Sequence, residues 1–252
     1  MQKWLNDLYA IILKQGFNPE GGGSGGGSGG GSGVLVGKYL GDTYTDTQKA
    51  AIANGTFDGL NIGDYWTINN INWRIADFDY YYNVGDTAFT KHHIIVVPDT
   101  CLYDSLMNSV NTTEGAYSGC GMRGNIVRNS AVFVDSFGDS FIPTHRGKYA
   151  KTVTDGVPTY TGWVDMRIEL MSEEQVLGHA VWGQNGYDVG TQKTQFRLFS
   201  LDPTKINIGH KYWLTNVKSS SSFSNIDEYG SSTFTGVTQT MGVRPFACVV
   251  GD

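Results

Sequence analysis

Asp77, Asp79, Asn83 and Asp86 crowd one stretch of the chain, with Tyr80, Tyr81 and Tyr82 between them. Clustered carboxylate and amide oxygens are the donor set that calcium takes. The spacing misses the EF-hand pattern and the glycine falls in the wrong place, so solvated loop acids are the preferred reading. His92-His93 is a second candidate for metal ligation. Neighbours in a strand point to opposite faces, so the two do not share one ion easily. His145, His179 and His210 are scattered without ligand spacing. No metal and no cofactor is expected. No Gly-x-Ser-x-Gly elbow occurs outside the Gly/Ser repeat of residues 21–33, though composition alone leaves Ser/His/Asp catalysis open. Cys101, Cys120 and Cys248 cannot all pair with each other and form no Cys-x-x-Cys pattern. Small buried hydrophobes are the preferred reading over a Cys101–Cys120 disulfide.

Binding chemistry is better marked than catalysis. Tyr212-Trp213-Leu214 reads as one buried strand and Phe246–Val250 as another. Between them run two polar stretches, Lys218 to Ser222 and Asn225 to Thr240, rich in Ser, Thr, Gly and Asn. A long polar excursion held between core strands is how a scaffold displays a binding surface. The candidate contact residues are Ser219, Ser220, Ser221, Ser222, Asn225, Tyr229, Ser231 and Thr233, with Tyr81 and Tyr187 from other loops. The chain has fourteen tyrosines. Exposed tyrosine among serine and glycine makes an adaptable contact surface, while a core ring with a wet hydroxyl makes none. Arg244 before Pro245 suits a buried anchor, because its planar fork can hold several carbonyls at once.

The elements that position these residues read as an α+β plan. Thr45 to Asn54 is a helix, capped by Thr45 or Asp46 and stopped by Gly55. Asn61 to Asp64 is a turn. Tyr65–Ile68 and Ile71–Ala76 alternate about Asn69-Asn70 and predict a hairpin. His92 to Val97 is a strand ended by Pro98. Asp104 to Ser109 is a short helix candidate. Arg123 to Phe137 is a second helix, with Ile126, Val127, Ala131, Val134 and Phe137 on one face and Gly138 as stop. Thr152 to Thr161 reads as loop. Val164, Met166, Ile168 and Leu170 alternate as a strand, and Ser172-Glu-Glu-Gln175 is a capping box. Gly183 to Thr191 is a glycine-rich loop. No alternating βαβ order is present.

The 252 residues divide into three parts. Residues 1–20 hold an amphipathic helix, with Trp4, Leu5, Leu8, Ile11 and Ile12 on one face. Gly16 and Asn18-Pro19 end it. It is too short to be stable alone in water and must dock. Residues 21–33 repeat Gly-Gly-Gly-Ser three times and then Gly, the composition of an engineered flexible linker spanning about 20 Å. Residues 34–252 form the folded domain. The first segment reads as a binding partner or a displaced native segment tethered near its site, and a homo-oligomer is compatible with it. Net charge is −6, which argues against nucleic acid as a partner. No apolar run approaches membrane-spanning length, and Met1-Gln-Lys-Trp does not open a signal peptide.

Gly242-Val-Arg-Pro-Phe closing the domain after Tyr212-Trp213-Leu214 and a serine-rich stretch resembles the C-terminal signature of C-type-lectin-like domains. Gly63-Asp-Tyr-Trp, Trp73-Arg-Ile-Ala-Asp-Phe-Asp, His92-His-Ile-Ile-Val-Val-Pro-Asp, Met107-Asn, Thr113-Glu-Gly-Ala-Tyr and Glu169-Leu-Met-Ser-Glu extend the likeness over nearly everything after residue 55. Together they are similar to a family found in phages and prophages of gut Firmicutes. Variable proteins made by diversity-generating retroelements have a related fold. The resemblance implies short twisted antiparallel strands, two or three helices and long loops. It implies a receptor-binding or adhesion role in a phage tail or virion surface, against a bacterial surface protein or glycan. The second implied role is virion assembly, with residues 1–20 docked on a partner subunit. The usual lectin calcium motifs, Glu-Pro-Asn and Trp-Asn-Asp, are absent. Formylglycine-generating enzymes are fold relatives that use a cysteine pair near the C-terminus. Here Cys248 stands alone, so an enzyme is not expected.

Overall fold

Alternation and an Asn-Asn turn build the first hairpin. The computed structural model, which describes residues 37–128, 131–183 and 194–252, places β1 at Tyr65–Ile68 and β2 at Ile71–Phe78. Asn69 and Asn70 both take positive φ, 55° and 61°, the geometry of the tight turn that matches strand twist. β3 (His93–Pro98) pairs antiparallel with β2. β7 (Ile168–Leu170) and β12 (Pro245–Val250) complete a five-stranded sheet of order β1-β2-β3-β12-β7. Every residue of β3, β7 and β12 is buried, and β3 and β12 accordingly carry apolar runs instead of alternation.

A second five-stranded sheet holds β4 (Tyr103–Leu106), β8 (Tyr212–Ser219), β9 (Ser222–Ile226), β10 (Ser232–Gly236) and β11 (Thr240–Val243). Its order is β10-β9-β8-β11-β4. The chain passes from the second sheet to the first through Val243-Arg244-Pro245, and Arg244 sits at that crossing with no exposed surface. β5 (His145–Thr154) and β6 (Val157–Met166) form a separate two-stranded arm.

Among the described residues five short helices cover the sheets: α1 (Asp46–Ala53), α2 (Gly121–Arg128), α3 (Ala131–Phe137), α4 (Glu173–Leu177) and α5 (Arg197–Leu201). Ser172 caps α4 in a capping box with Gln175, as the sequence predicts, and of the two caps expected for α1 it is Thr45 that serves, in a second capping box with Gln48. Phe133 and Phe137 of α3 pack edge or tilt against Trp73 and Trp66, fixing that helix on the first sheet. The molecule is α+β. No helix among the described residues is long and apolar enough to cross a membrane.

Several expectations need correction. Asp104–Ser109 is not a helix: residues 103–106 form edge strand β4, paired with β11 from Leu106 against Thr240 to Tyr103 against Val243. Tertiary pairing overrides a short, weak local pattern there. The helix expected over Arg123–Phe137 is seen as α2 and α3 on either side of residues 129 and 130, which lie outside the described residues. In α3 the buried positions are Phe133, Ser136 and Phe137, while Ala131 is exposed. The expected face is therefore turned toward Phe133, whose ring fills the space above Trp73. Thr152–Thr161 is not a loop but the outer part of the arm, the end of β5, its turn and the start of β6. Asp155 and Gly156 take φ of 51° and 81° at its turn, and the Thr152 and Thr159 hydroxyls meet across the strands at 3.0 Å.

Candidate ligand-binding surface

The polar stretch from Lys218 to Thr240 is a three-stranded meander, not an open loop. Phe223, Ile226 and Val237 anchor it in the core. Its serines and asparagine are used internally. The Ser219 and Ser222 hydroxyls share a 2.6 Å hydrogen bond across the β8–β9 turn, and Ser221 N–H donates to Ser219 Oγ at 3.3 Å. Thr113 Oγ1 donates to the Ser219 carbonyl and Thr113 N–H to the Ser220 carbonyl. Asn225 is fully buried and donates to Thr235 Oγ1 at 2.9 Å. Of the expected contact residues, Ser222, Asn225 and Tyr81 are buried and cannot meet a ligand. Tyr81 lies flat against Phe246, and its hydroxyl accepts from Gln175 Nε2 at 2.8 Å. Ser220, Tyr229 and Ser231 are exposed, and Ser219, Ser221 and Thr233 half-buried. Tyr187 and the anchors Trp4, Leu5, Leu8, Ile11 and Ile12 lie outside the described residues, as do the 21–33 repeat and most of the Gly183–Thr191 stretch.

An aromatic surface stands on the same meander. Glu173, the first residue of α4, is fully buried and accepts hydrogen bonds from the backbone N–H groups of Val181, Trp182 and Gly183, at 2.8 to 3.2 Å. A carboxylate gathering three amides fixes the segment that carries Trp182. Asn216 of β8 locks the same helix start: its Oδ1 accepts from Glu173 N–H at 2.8 Å. Burial pushes the carboxyl of the neighbouring Glu174 up, partly offset by Ser172 and Asn216. Trp182 then meets Phe234 of β10 edge-to-face, with ring centres 5.0 Å apart. Lys218 of β8 lays its ammonium 5.4 Å from the Trp182 ring and 5.7 Å from the Phe234 ring. Phe234 is 46% exposed and Val181 44%. The result is a shelf of two aromatic rings beside an aliphatic side chain, with one cation at its edge. Such a shelf can stack an apolar face and attract an anionic or accepting edge of the same ligand.

Sequence reasoning missed Trp182, Lys218 and Phe234. Pairing across β8, β9 and β10 brings Lys218 and Phe234 together and Glu173 holds Trp182 against them, and only Phe234 carried a local signal, as a large aromatic among Thr and Ser. The acidic stretch is spoken for: Asp77 binds Arg197 at 2.6 Å, Asp79 binds His92 at 2.7 Å and Asp86 binds Arg146 at 2.8 Å. No group of three or more His, Cys, Asp or Glu suited to a metal occurs among the described residues. His93 and His145 are buried, and burial holds both imidazoles below their ordinary range, His145 at about 4. All three cysteines are free thiols.

No family model, no curated protein and no solved structure matches this chain.

Proposed function

We propose that the chain is a ligand-binding module, a C-type-lectin-like scaffold that presents the Trp182–Phe234–Lys218 shelf to a bacterial surface. The module belongs to a phage or prophage particle, on its tail or outer surface, and the ligand is a surface glycan or protein. One observation carries the reading. Exposed Phe234 and half-buried Trp182 meet, with a cation at their edge, on the face of the meander that feeds into Gly242-Val-Arg-Pro, and the machinery that fixes Trp182, Glu173 and Asn216, is buried. An aromatic pair that keeps one ring in water on a sheet face is a contact surface for a partner. Exposed Tyr229, Ser220 and Ser231 extend the polar surround.

Cell-binding and glycan screens of the purified chain test this, with Phe234→Ala, Trp182→Ala and Lys218→Ala beside it. Truncating an aromatic anchor should cost about 2 kcal/mol of binding, or roughly thirtyfold. Melting temperatures of the three variants should stay near that of the parent. Binding that survives both aromatic truncations would move the site elsewhere.

A further inference from the structure

On the opposite edge of the second sheet, an open cleft of about 440 Å³ is lined by Thr100, Cys101, Tyr103, Asp104, Ile208 and His210. Cys101 Sγ lies 3.7 Å from His210 Nδ1, and His210 Nε2 lies 3.5 Å from Asp104 Oδ1. Cys101 and Asp104 are near neighbours in sequence, and β11 brings the distant His210 to them. Gly242 of that strand pairs with Asp104 on one side and Tyr212 on the other. A Cβ at Gly242 would stand 2.3 Å from the Cys101 sulfur and 2.8 Å from His210 Nδ1. Only glycine leaves room for thiol and imidazole to meet.

The other thiols are placed differently. Cys120 is buried against Met107 Sδ, and Cys248 is buried within β12. Cys101 is half-buried at the cleft wall. Burial pushes its thiol up to about 12, so the resting form is protonated and attack requires an adjacent base. Arg244 favours the thiolate and Asp104 opposes it. The remaining charges at this edge, Lys211 and Glu228, pair with each other at 3.2 Å. His210 can act in one of its two tautomers. With the proton on Nδ1 it donates to the Lys211 carbonyl at 2.8 Å. With the proton on Nε2 it faces Asp104, and Nδ1 gives up the Lys211 hydrogen bond and turns its lone pair to the thiol.

We propose that Cys101, with His210 as base and Asp104 as the support of the imidazolium, is a thiol-exchange site for small disulfides that enter the cleft. Cys101 Sγ attacks one sulfur of R–S–S–R. The new Sγ–S bond forms as the old S–S bond breaks. The thiol proton passes to His210 and then to the departing thiolate, which leaves as RSH. The small disulfide is the oxidant, and one of its halves remains on Cys101.

The full chain is treated with 2-hydroxyethyl disulfide, and adducts are mapped by peptide mass. One adduct is expected, on Cys101, with Cys120 and Cys248 modified only after denaturation. His210→Asn keeps a donor toward the Lys211 carbonyl but removes the base, and should slow the reaction roughly a hundredfold. Asp104→Asn should slow it several-fold. Should His210→Asn not fold, the wild-type pH–rate profile decides. Exchange aided by a neighbouring base levels off as pH rises, whereas an unaided thiol climbs log-linearly with pH. Preferential labelling of Cys120 or Cys248, no adduct on Cys101, a wild-type rate in His210→Asn, or the log-linear climb would each overturn the assignment.

Discussion

Arg244 shows what one residue can hold at a crossing between two sheets. Its Nε donates to the Pro98 carbonyl at 2.9 Å and its Nη1 to the Lys205 carbonyl at 3.0 Å. The guanidinium lies between the rings of Phe199 and Tyr212, 5.5 and 5.2 Å from their centres. The end of β3, the turn after α5 and the start of β8 are thus tied to one side chain. Arg244→Ala should cost about 3–5 kcal/mol, the range for stranding the partners of a buried charge. Arg244→Lys should recover only part, because a point charge cannot span both carbonyls. Urea midpoints measure both, and an unchanged midpoint for Arg244→Ala would remove the anchor role. This residue was legible in the sequence, because an arginine fixed before a proline and flanked by apolar strands has little else to do. Tyr81 and Asn225 were not legible. Their burial depends on distant partners, Phe246 and Gln175 for one, Thr235 for the other.

At the scale of elements, apolar alternation and turn chemistry were readable and polar strands were not. The β1–β2 hairpin and the caps of α1 and α4 follow from local patterns alone. The arm and the β8–β10 meander are built from Thr, Ser and Asn, whose hydroxyls and amides satisfy each other across strands and mimic loop composition. The Asp155-Gly156 pair was the one available signal for the arm. That turn also locks the two elements together: a Cβ at Gly156 would stand 2.6 Å from the Ser220 nitrogen. Gly156→Ala should therefore cost about 1–2 kcal/mol for the left-handed backbone alone, and more for the contact. A melting temperature equal to wild type would show that the arm tip does not pack on the meander. Within the meander, Asn225→Ala should cost about 1 kcal/mol, since it removes the hydrogen bond to Thr235 Oγ1 from a fully buried position. Ser231→Ala, at an exposed turn, should stay within about 0.5 kcal/mol. Equal effects of the two, by chemical denaturation, would contradict the burial pattern. The candidate shelf was hidden for a similar reason: Lys218 and Phe234 meet only once three strands are in register, and Trp182 joins them only through the buried Glu173 carboxylate.

For the molecule as a whole, the root of the arm is the point most exposed to acid. His145 opens β5 and packs on the Tyr81 ring, the Phe89 ring and the Cys248 thiol of β12, so it joins the arm to the first sheet. His93 of β3 contacts the same Phe89 ring. Burial is the main cause holding both histidines below their ordinary range, and His145 is also pushed down by His93. The unfolded chain binds these protons more readily than the folded one, so stability falls as pH drops. For His145 the loss begins near the ordinary histidine value and levels off below about 4. Glu169 and Glu174 act in the opposite sense. Burial raises both, so each costs stability as pH rises through its folded-state value and relieves that cost as pH falls. The net acid profile mixes the two effects, and a substitution separates them. His145→Phe keeps an aromatic ring against Tyr81 and Phe89 but cannot titrate. Between pH 7 and pH 5 the wild type should lose about 2 kcal/mol more than this variant, the linkage expected for a shift from 6.5 to about 4. Urea denaturation at the two pH values measures the difference. Parallel losses in both proteins would mean that His145 is not held neutral, and that the arm is joined to the sheet by something other than a dry imidazole.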